Sequence, residues 1–173
     1  LRARGFDCWL LDLRGRGGSA APPPGRRPYD YSFDDHVQHD VKAAIDLVKR
    51  ETGASRVAWV GHSMGGMVVY AHAEQFGDAD LAAVAVIGTP VAIVKRPWVG
   101  ALAPLAPLHQ LPALYHVLAA KLVAPVAGYW TPSIARLIVN HDNMEPAVMR
   151  VGLARALANM STPTLRQFAD WFQ

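Results

Sequence analysis

The sequence is poor in cysteine and in charge, and both shortages narrow the classes of protein to which it can belong. It has one cysteine, Cys8, which excludes an internal disulfide framework and a cysteine metal site. Because Cys8 lies in an apolar run, we expect it in the core, and its solitary thiol favours a reducing, cytoplasmic location. Charged residues make up 18% of the chain and hydrophobic residues 51%, which predicts a folded protein with a sizeable core.

A concentrated basic surface is also missing. The formal net charge of +3 comes from 17 basic and 14 acidic residues that are spread along the chain. Only residues 2–27 concentrate arginine, and glycine, proline and apolar residues separate those arginines. This distribution favours a solvated face or the rim of a site, so that we expect no nucleic-acid partner.

One long stretch, residues 97–120, has no Asp, Glu, Lys or Arg and is long enough to span a bilayer. Pro104, Pro107 and Pro112 interrupt it, which favours a broken helical cap and predicts no transmembrane segment. There is no initiator Met and no signal segment, and residues 1–5 resemble the end of a helix. We therefore expect the natural protein to begin earlier.

Short apolar runs at residues 8–13, 57–60 and 84–87 predict strands that are covered on both faces, as in a parallel sheet. A helix is predicted between the first two runs. Ser32 and Asp35 resemble a capping box, and apolar residues then recur at helical spacing as far as Gly53; these are Val37, Val41, Ala44, Ile45 and Val48.

A second helix is predicted over residues 64–76, closed by Gly77. The order strand, helix, strand, helix, strand predicts an α/β fold, a parallel sheet flanked by helices. Beyond residue 95 the chain turns to proline-rich helical segments, predicted over residues 113–123, 133–140, 146–160 and 164–172. We divide the chain into residues 1–95, the central part of the core, and residues 96–173, a helical cap or lid.

The chemistry is concentrated in the pentapeptide Gly61-His62-Ser63-Met64-Gly65, a G-x-S-x-G motif between a predicted strand and a predicted helix. A nucleophile elbow requires that context. The tight turn needs flanking residues almost without side chains, which Gly61, Gly65 and Gly66 provide. It places Ser63 at the carboxyl end of a strand and at a helix N-terminus, with the backbone N–H of Met64 as an oxyanion donor. The alternative is a tight turn with a capping serine.

A serine nucleophile needs a base and an acid, and the sequence assigns neither. His62 is adjacent to Ser63 and projects in another direction, so we interpret it as an elbow-packing residue. His72, His109 and His116 are interpreted as helix residues, and the adjacent His141 and Asp142 cannot both take triad positions. We expect the acid and the base outside the sequence.

Two further polar clusters contain residue types found in phosphate-binding and metal-binding sites, but their spacing does not support either kind of site. Residues 12–19 form a glycine-rich loop without the spacing of a phosphate-binding motif, and we expect it to border the mouth of the site. Five residues that could bind a metal lie within about two turns of a predicted helix, where the polar face of an amphipathic helix, with acids at its N-terminus, explains them without a metal; they are Asp34, Asp35, His36, His39 and Asp40.

These segments resemble the α/β-hydrolase superfamily over nearly the whole chain. The resemblance lies in DLRGRGGS at residues 12–19, GHSMGG at 61–66 and VIGTP at 86–90. DYSFDDHVQHDVKAAIDLV at residues 30–48, NHDNMEP and LRQFADWF resemble bacterial hydrolases related to acid lipases and polyhydroxyalkanoate synthases. The fold that this implies is a partial α/β-hydrolase, with a helical cap after the third strand.

The resemblance implies Ser63 as nucleophile and the Met64 N–H as one oxyanion donor; the other donor, the acid and the histidine would lie before residue 1 or after residue 173. It implies a serine hydrolase that cleaves hydrophobic carboxylic esters through an acyl-enzyme, with no cofactor and no metal. Serine in place of the cysteine of polyester synthases favours hydrolysis. An acyltransferase or polyester-synthase-like enzyme and a non-catalytic binding or membrane-associated module remain as alternatives. We expect residues 1–173 alone to be inactive.

Overall fold

The computed structural model describes residues 1–19, 21–22, 24–25, 28–91, 113–114, 121–122, 124–126, 143–155 and 158–171. Two parallel strands, β1 (Val57–His62) and β2 (Leu81–Ile87), pair from Val57 opposite Leu81 to His62 opposite Ile87. Parallel strands need a crossover connection, and a helix between them supplies it. The predicted α/β arrangement is confirmed in this part of the chain.

The first long helix begins at Ser32, where both hydrogen bonds of the predicted capping box are present. A short α-helical turn, α1 (Phe33–Asp35), continues into a π-helical segment (His36–Val41) and then into α2 (Lys42–Thr52). Gly53 ends α2 with a φ of 72°, in the left-handed conformation common after a helix. The predicted helix is confirmed, and its π-helical beginning is a feature that the sequence did not indicate.

The crossover helix, α3 (Met64–Phe76), packs with the first helix and the sheet around one hydrophobic core. The apolar spacing predicted this packing, because Val37, Val41 and Ile45 are all buried in it. Val68 and Val69 of α3 complete the centre. The opposite face of the sheet is open, with Val60 57% and Ile87 61% exposed, so the expected cover on both faces is not found among the described residues.

The prediction of a strand over residues 8–13 is wrong. These residues pair with no described strand, and Leu10 is fully exposed. Cys8, which was expected in the core, is exposed as well. A strand is stable only where a neighbour completes its backbone hydrogen bonds. An apolar run indicates a tendency to be buried, and it does not supply that neighbour.

Beyond residue 95, the described elements are β3 (Ala113–Leu114), a 3₁₀ turn (Ala124–Val126), α4 (Pro146–Arg155), β4 (Met160–Ser161) and α5 (Thr162–Trp171). Helices predicted over residues 146–160 and 164–172 are confirmed, although β4 replaces the end of the first. The helix predicted over residues 113–123 is wrong at its start, because antiparallel pairing of β3 with β4 satisfies that backbone. The helix predicted over residues 133–140 lies outside the described residues.

Helix α5 contacts the beginning of the first helix. The Gln167 side chain accepts a hydrogen bond from the Phe33 N–H at 2.6 Å and donates one to Asp34 at 2.8 Å. The Phe33 ring also packs against Phe168 and Trp171. No helix within the described ranges is long and apolar enough to cross a bilayer.

Candidate active site

Ser63 occupies the turn between β1 and α3, with φ 50° and ψ −119°. A positive φ costs a residue with a side chain about 1–3 kcal/mol, which the surrounding structure has to offset. The Ser63 N–H donates to the Ile87 carbonyl at 2.9 Å and so extends the hydrogen bonding between β1 and β2 by one residue. The predicted strand, strained turn and helix are therefore all present.

The hydroxyl of Ser63 does not serve the helix that follows it. Ser63 stands at the N-cap position of α3, yet its side chain makes no cap hydrogen bond. Ser63 is also exposed. The capping-serine alternative is thus not supported.

The glycines around the turn differ in how strictly the structure requires them. A Cβ atom on Gly61 would lie 2.5 Å from the backbone carbon of Gly65, and one on Gly66 would collide with the Thr89 side chain. A Cβ atom on Gly65 would meet nothing within 4 Å. The predicted need for glycine is confirmed at Gly61 and Gly66 and is not supported at Gly65, which borders open space.

The backbone after Ser63 begins the helical hydrogen bonding of α3. The Ser63 carbonyl accepts from the N–H groups of Gly66 at 2.9 Å and Met67 at 3.2 Å. The N–H of Met64 is the first of the helix, where no acceptor exists within the helix itself. An N–H without an acceptor in its own helix, beside an exposed serine, is an arrangement that can bind a negatively charged oxygen.

Thr89 is a neighbour of Ser63 that the sequence did not indicate. Its hydroxyl donates to the Ser63 carbonyl at 3.0 Å, with the Ile87 carbonyl as a second acceptor at 3.4 Å. Thr89 follows the carboxyl end of β2, and side chains that follow neighbouring parallel strands meet at one edge of the sheet. That rule is the signal that would have pointed to it.

The described histidines do not supply a base for Ser63. His62 is exposed, and no hydrogen bond within the described residues joins a histidine to the Ser63 hydroxyl. His72 is buried in α3, where its Nδ1 lies 3.2 Å from the Val37 carbonyl and its ring packs on Phe76. A surface groove lined by His72, Lys42 and Asp80 includes no residue of the turn. Four candidates, His109, His116, His141 and Asp142, lie outside the described residues.

The two polar clusters are joined in one hydrogen-bonded network through Arg14 and Asp40. The Asp40 carboxylate accepts hydrogen bonds from the Arg14 Nε at 2.8 Å and the Arg14 backbone N–H at 3.1 Å, and lies 2.9 Å from His36 Nδ1. His36 is 1% exposed and the Asp40 side chain is 13% exposed, so the interpretation of these residues as a polar surface face is wrong at His36 and holds only in part at Asp40. Arg14, a distant partner, explains their burial. Among the described residues, no three potential metal ligands are grouped.

The charge on Asp40 is well accommodated. Burial would raise the pKa of this carboxyl, and hydrogen bonds from His36 and Arg14 outweigh burial and lower it. In the glycine-rich loop, the Asp12 carboxylate accepts from the Gly18 N–H at 2.8 Å. A Cβ atom on Gly17 would collide with that carboxylate. Gly17 therefore lets the loop fold tightly around its own carboxylate.

Comparison with known proteins gives one family match and several partial matches. A family model described as serine aminopeptidase, S33, matches residues 1–171. Gastric triacylglycerol lipase of Mus musculus is 34% identical over 65 residues, which are 35% of this chain and 16% of the lipase. Lipase lipl-5 of Caenorhabditis elegans is 33% identical over 39% of this chain and 18% of its own length.

Triacylglycerol lipase 2 of Arabidopsis thaliana is 29% identical over 100 residues, which are 56% of this chain and 24% of that lipase. The matches therefore span less than a quarter of each of these three lipases. No solved structure matches the chain significantly.

Proposed function

Because the chain belongs to the serine aminopeptidase S33 family of α/β-hydrolases, we propose that it is a serine hydrolase of carboxylic esters with Ser63 as its nucleophile. The observation that supports this most directly is the strained backbone of Ser63, at φ 50° between β1 and α3. Backbone strain of this kind clusters at active sites. Ser63 is exposed, and its hydroxyl does not cap its helix.

In the proposed reaction, the Ser63 Oγ attacks the ester carbonyl while a histidine base takes its proton. Negative charge then develops on the former carbonyl oxygen, and the N–H of Met64 donates to it. The leaving alcohol takes a proton from the histidine, and water cleaves the acyl-enzyme. The base and its acid partner are not assigned to described residues.

The substrate is proposed to be an ester with an apolar acyl group. Partial similarity to proteins named triacylglycerol lipases supports this class. The uncharged stretch of residues 97–120, interpreted as a cap, supplies apolar side chains that suit it.

The proposal is tested with the Ser63→Ala variant of the full-length protein and p-nitrophenyl esters of increasing acyl length. We expect at least about a thousandfold loss of kcat, because the nucleophile is absent. A fluorophosphonate, which labels an active serine, should also fail to label the Ser63→Ala variant. Ser55→Ala is the matched control, since Ser55 is an exposed loop serine. Ester turnover that survives Ser63→Ala would exclude Ser63 as the nucleophile.

The description of the family favours a second candidate, removal of the N-terminal residue of a peptide. The same nucleophile and oxyanion donor serve the cleavage of an amide. Aminoacyl p-nitroanilides, compared with p-nitrophenyl esters of matched acyl groups, distinguish the two reactions. A higher kcat/KM for the anilides would replace the ester proposal by the peptidase.

A further inference from the structure

The hydrogen bond from Thr89 to the Ser63 carbonyl is not needed to satisfy that carbonyl. A backbone oxygen has two lone pairs, and the N–H groups of Gly66 and Met67 already donate to this one. Thr89 adds a third donor, at 3.0 Å, from a residue 26 positions along the chain. A role beyond ordinary hydrogen-bond satisfaction is therefore open to it.

The bonded carbonyl belongs to the same peptide group as the proposed oxyanion donor. The Ser63 carbonyl and the Met64 N–H lie in one plane and point in opposite directions, as in any trans peptide. A donor that fixes the direction of the oxygen consequently fixes the direction of the N–H. Hydrogen bonding to the oxygen also polarises the amide, which strengthens its N–H as a donor by about 10–30%.

The Thr89 side chain is also held in place by close packing against α3. A Cβ atom on Gly66 would collide with the Oγ1, Cγ2 and Cβ atoms of Thr89. Position 66 therefore requires glycine because Thr89 occupies the space that a side chain there would need. Close packing against Gly66 keeps the hydroxyl in reach of the Ser63 carbonyl.

We propose that Thr89 is a positioning residue, which orients and polarises the Ser63–Met64 peptide so that the Met64 N–H donates more strongly to the oxyanion. The inference rests on the proposed function of Ser63. Thr89 acts through the peptide and does not touch the substrate. Its contribution is largest when charge develops on the oxyanion, and it is small in the bound substrate.

The test uses Thr89→Val and Thr89→Ser in the full-length enzyme. Thr89→Val keeps the shape and removes the hydroxyl, and we expect kcat to fall about three- to tenfold at unchanged KM. A trifluoromethyl ketone, which Ser63 converts to a hemiketal with an oxyanion, should bind more weakly by the same factor. Thr89→Ser restores the hydroxyl, and we expect it to restore kcat and inhibitor affinity.

Thr52→Val is the matched control, because the Thr52 hydroxyl also donates to a backbone carbonyl, that of Val48 at 2.7 Å, at the far end of α2. We expect it to leave kcat unchanged. The inference is overturned if Thr89→Val keeps the wild-type kcat and inhibitor affinity. It is also overturned if kcat and inhibitor affinity fall as far in Thr89→Ser as in Thr89→Val. If Thr89→Val does not fold, Thr89→Ala replaces it, because alanine also lacks a donor, and a wild-type kcat in that variant overturns the inference equally.

The failure of this inference is distinct from the failure of the proposed function. Ester turnover by Ser63→Ala would show that Ser63 is not the nucleophile. The proposed function would then fail, and the role of Thr89 would fail with it, because that role depends on an oxyanion formed at Ser63. Inactive Ser63→Ala combined with fully active Thr89→Val would leave the proposed function intact and overturn only the role of Thr89.

Discussion

The turn at residues 61–66 and the helix start at residues 31–41 are fixed mainly by different means. Backbone hydrogen bonds and missing side chains dominate in the turn, as at Gly61 and Gly66, and the Thr89 and Trp59 side chains add one hydrogen bond each. Polar side chains from distant parts of the chain fix the helix start, as Arg14 does for Asp40. We therefore expect added atoms to disrupt the turn, and removed polar atoms to disrupt the helix start.

The largest effect is expected from adding one methyl group at Gly61. In Gly61→Ala, the Cβ atom would lie 2.5 Å from backbone atoms of Gly65, which cannot move without shifting the first turn of α3. We expect the free energy of unfolding to fall by about 3 kcal/mol, measured by urea denaturation.

Gly65→Ala is the matched control for this change, since the same methyl group would meet nothing within 4 Å. Alanine is favoured over glycine inside a helix, so this variant should gain up to about 1 kcal/mol. Equal losses in the two variants would show that glycine is needed at the turn for some reason other than space.

The next effect is expected from removing the charge of Asp40. Asp40→Asn keeps the shape and weakens the hydrogen bonds with His36 and Arg14, of which His36 is almost completely buried. We expect a loss of about 2 kcal/mol at neutral pH, since charged and largely buried hydrogen bonds are weakened. Asp46→Asn, in the exposed Lys42 pair of the same helix, should leave the free energy of unfolding nearly unchanged. Equal losses in Asp40→Asn and Asp46→Asn would show that burial does not strengthen the hydrogen bonds of Asp40.

The pH dependence of this loss follows from the lowered pKa of Asp40. A carboxyl whose pKa is lower in the folded protein than its ordinary 3.8 stabilises the fold above that pH. Its contribution is lost as the pH falls through the folded pKa. The difference between wild type and Asp40→Asn should thus be constant near neutral pH and shrink below pH 3.8. A difference that grows on acidification would contradict the assignment.

The same contrast explains which features the sequence revealed. The capping box at Ser32 and the turn at Ser63 depend on neighbours within a few residues, so their spacing predicted them. The burial of Asp40 depends on Arg14, and the environment of Ser63 depends on Thr89; both partners lie 26 positions away. The strand predicted over residues 8–13 failed for a related reason, because an apolar run does not identify a pairing partner.

The smallest effect is expected from removing one cap of the helix start. Ser32→Ala deletes the oxygen that accepts from the Asp35 N–H, and we expect a loss of about 1 kcal/mol in the free energy of unfolding. Ser32→Gly should lower the free energy of unfolding more than Ser32→Ala only if backbone flexibility, rather than the missing oxygen, dominates at this position. Urea denaturation of both variants measures the difference.

Gln167 provides a second cap, and together the two residues test whether the helix start acts as one unit. Gln167→Met removes the acceptor of the Phe33 N–H and leaves the Ser32 bond to Asp35 in place. If the caps act on separate donors, the losses in Ser32→Ala and Gln167→Met should add in the double variant to within about 0.5 kcal/mol. A larger coupling would mean that α5 and Ser32 stabilise the helix start jointly. The helix start would then depend on a partner 134 positions away, whereas the side-chain partner of Ser63 in the turn, Thr89, lies 26 positions away.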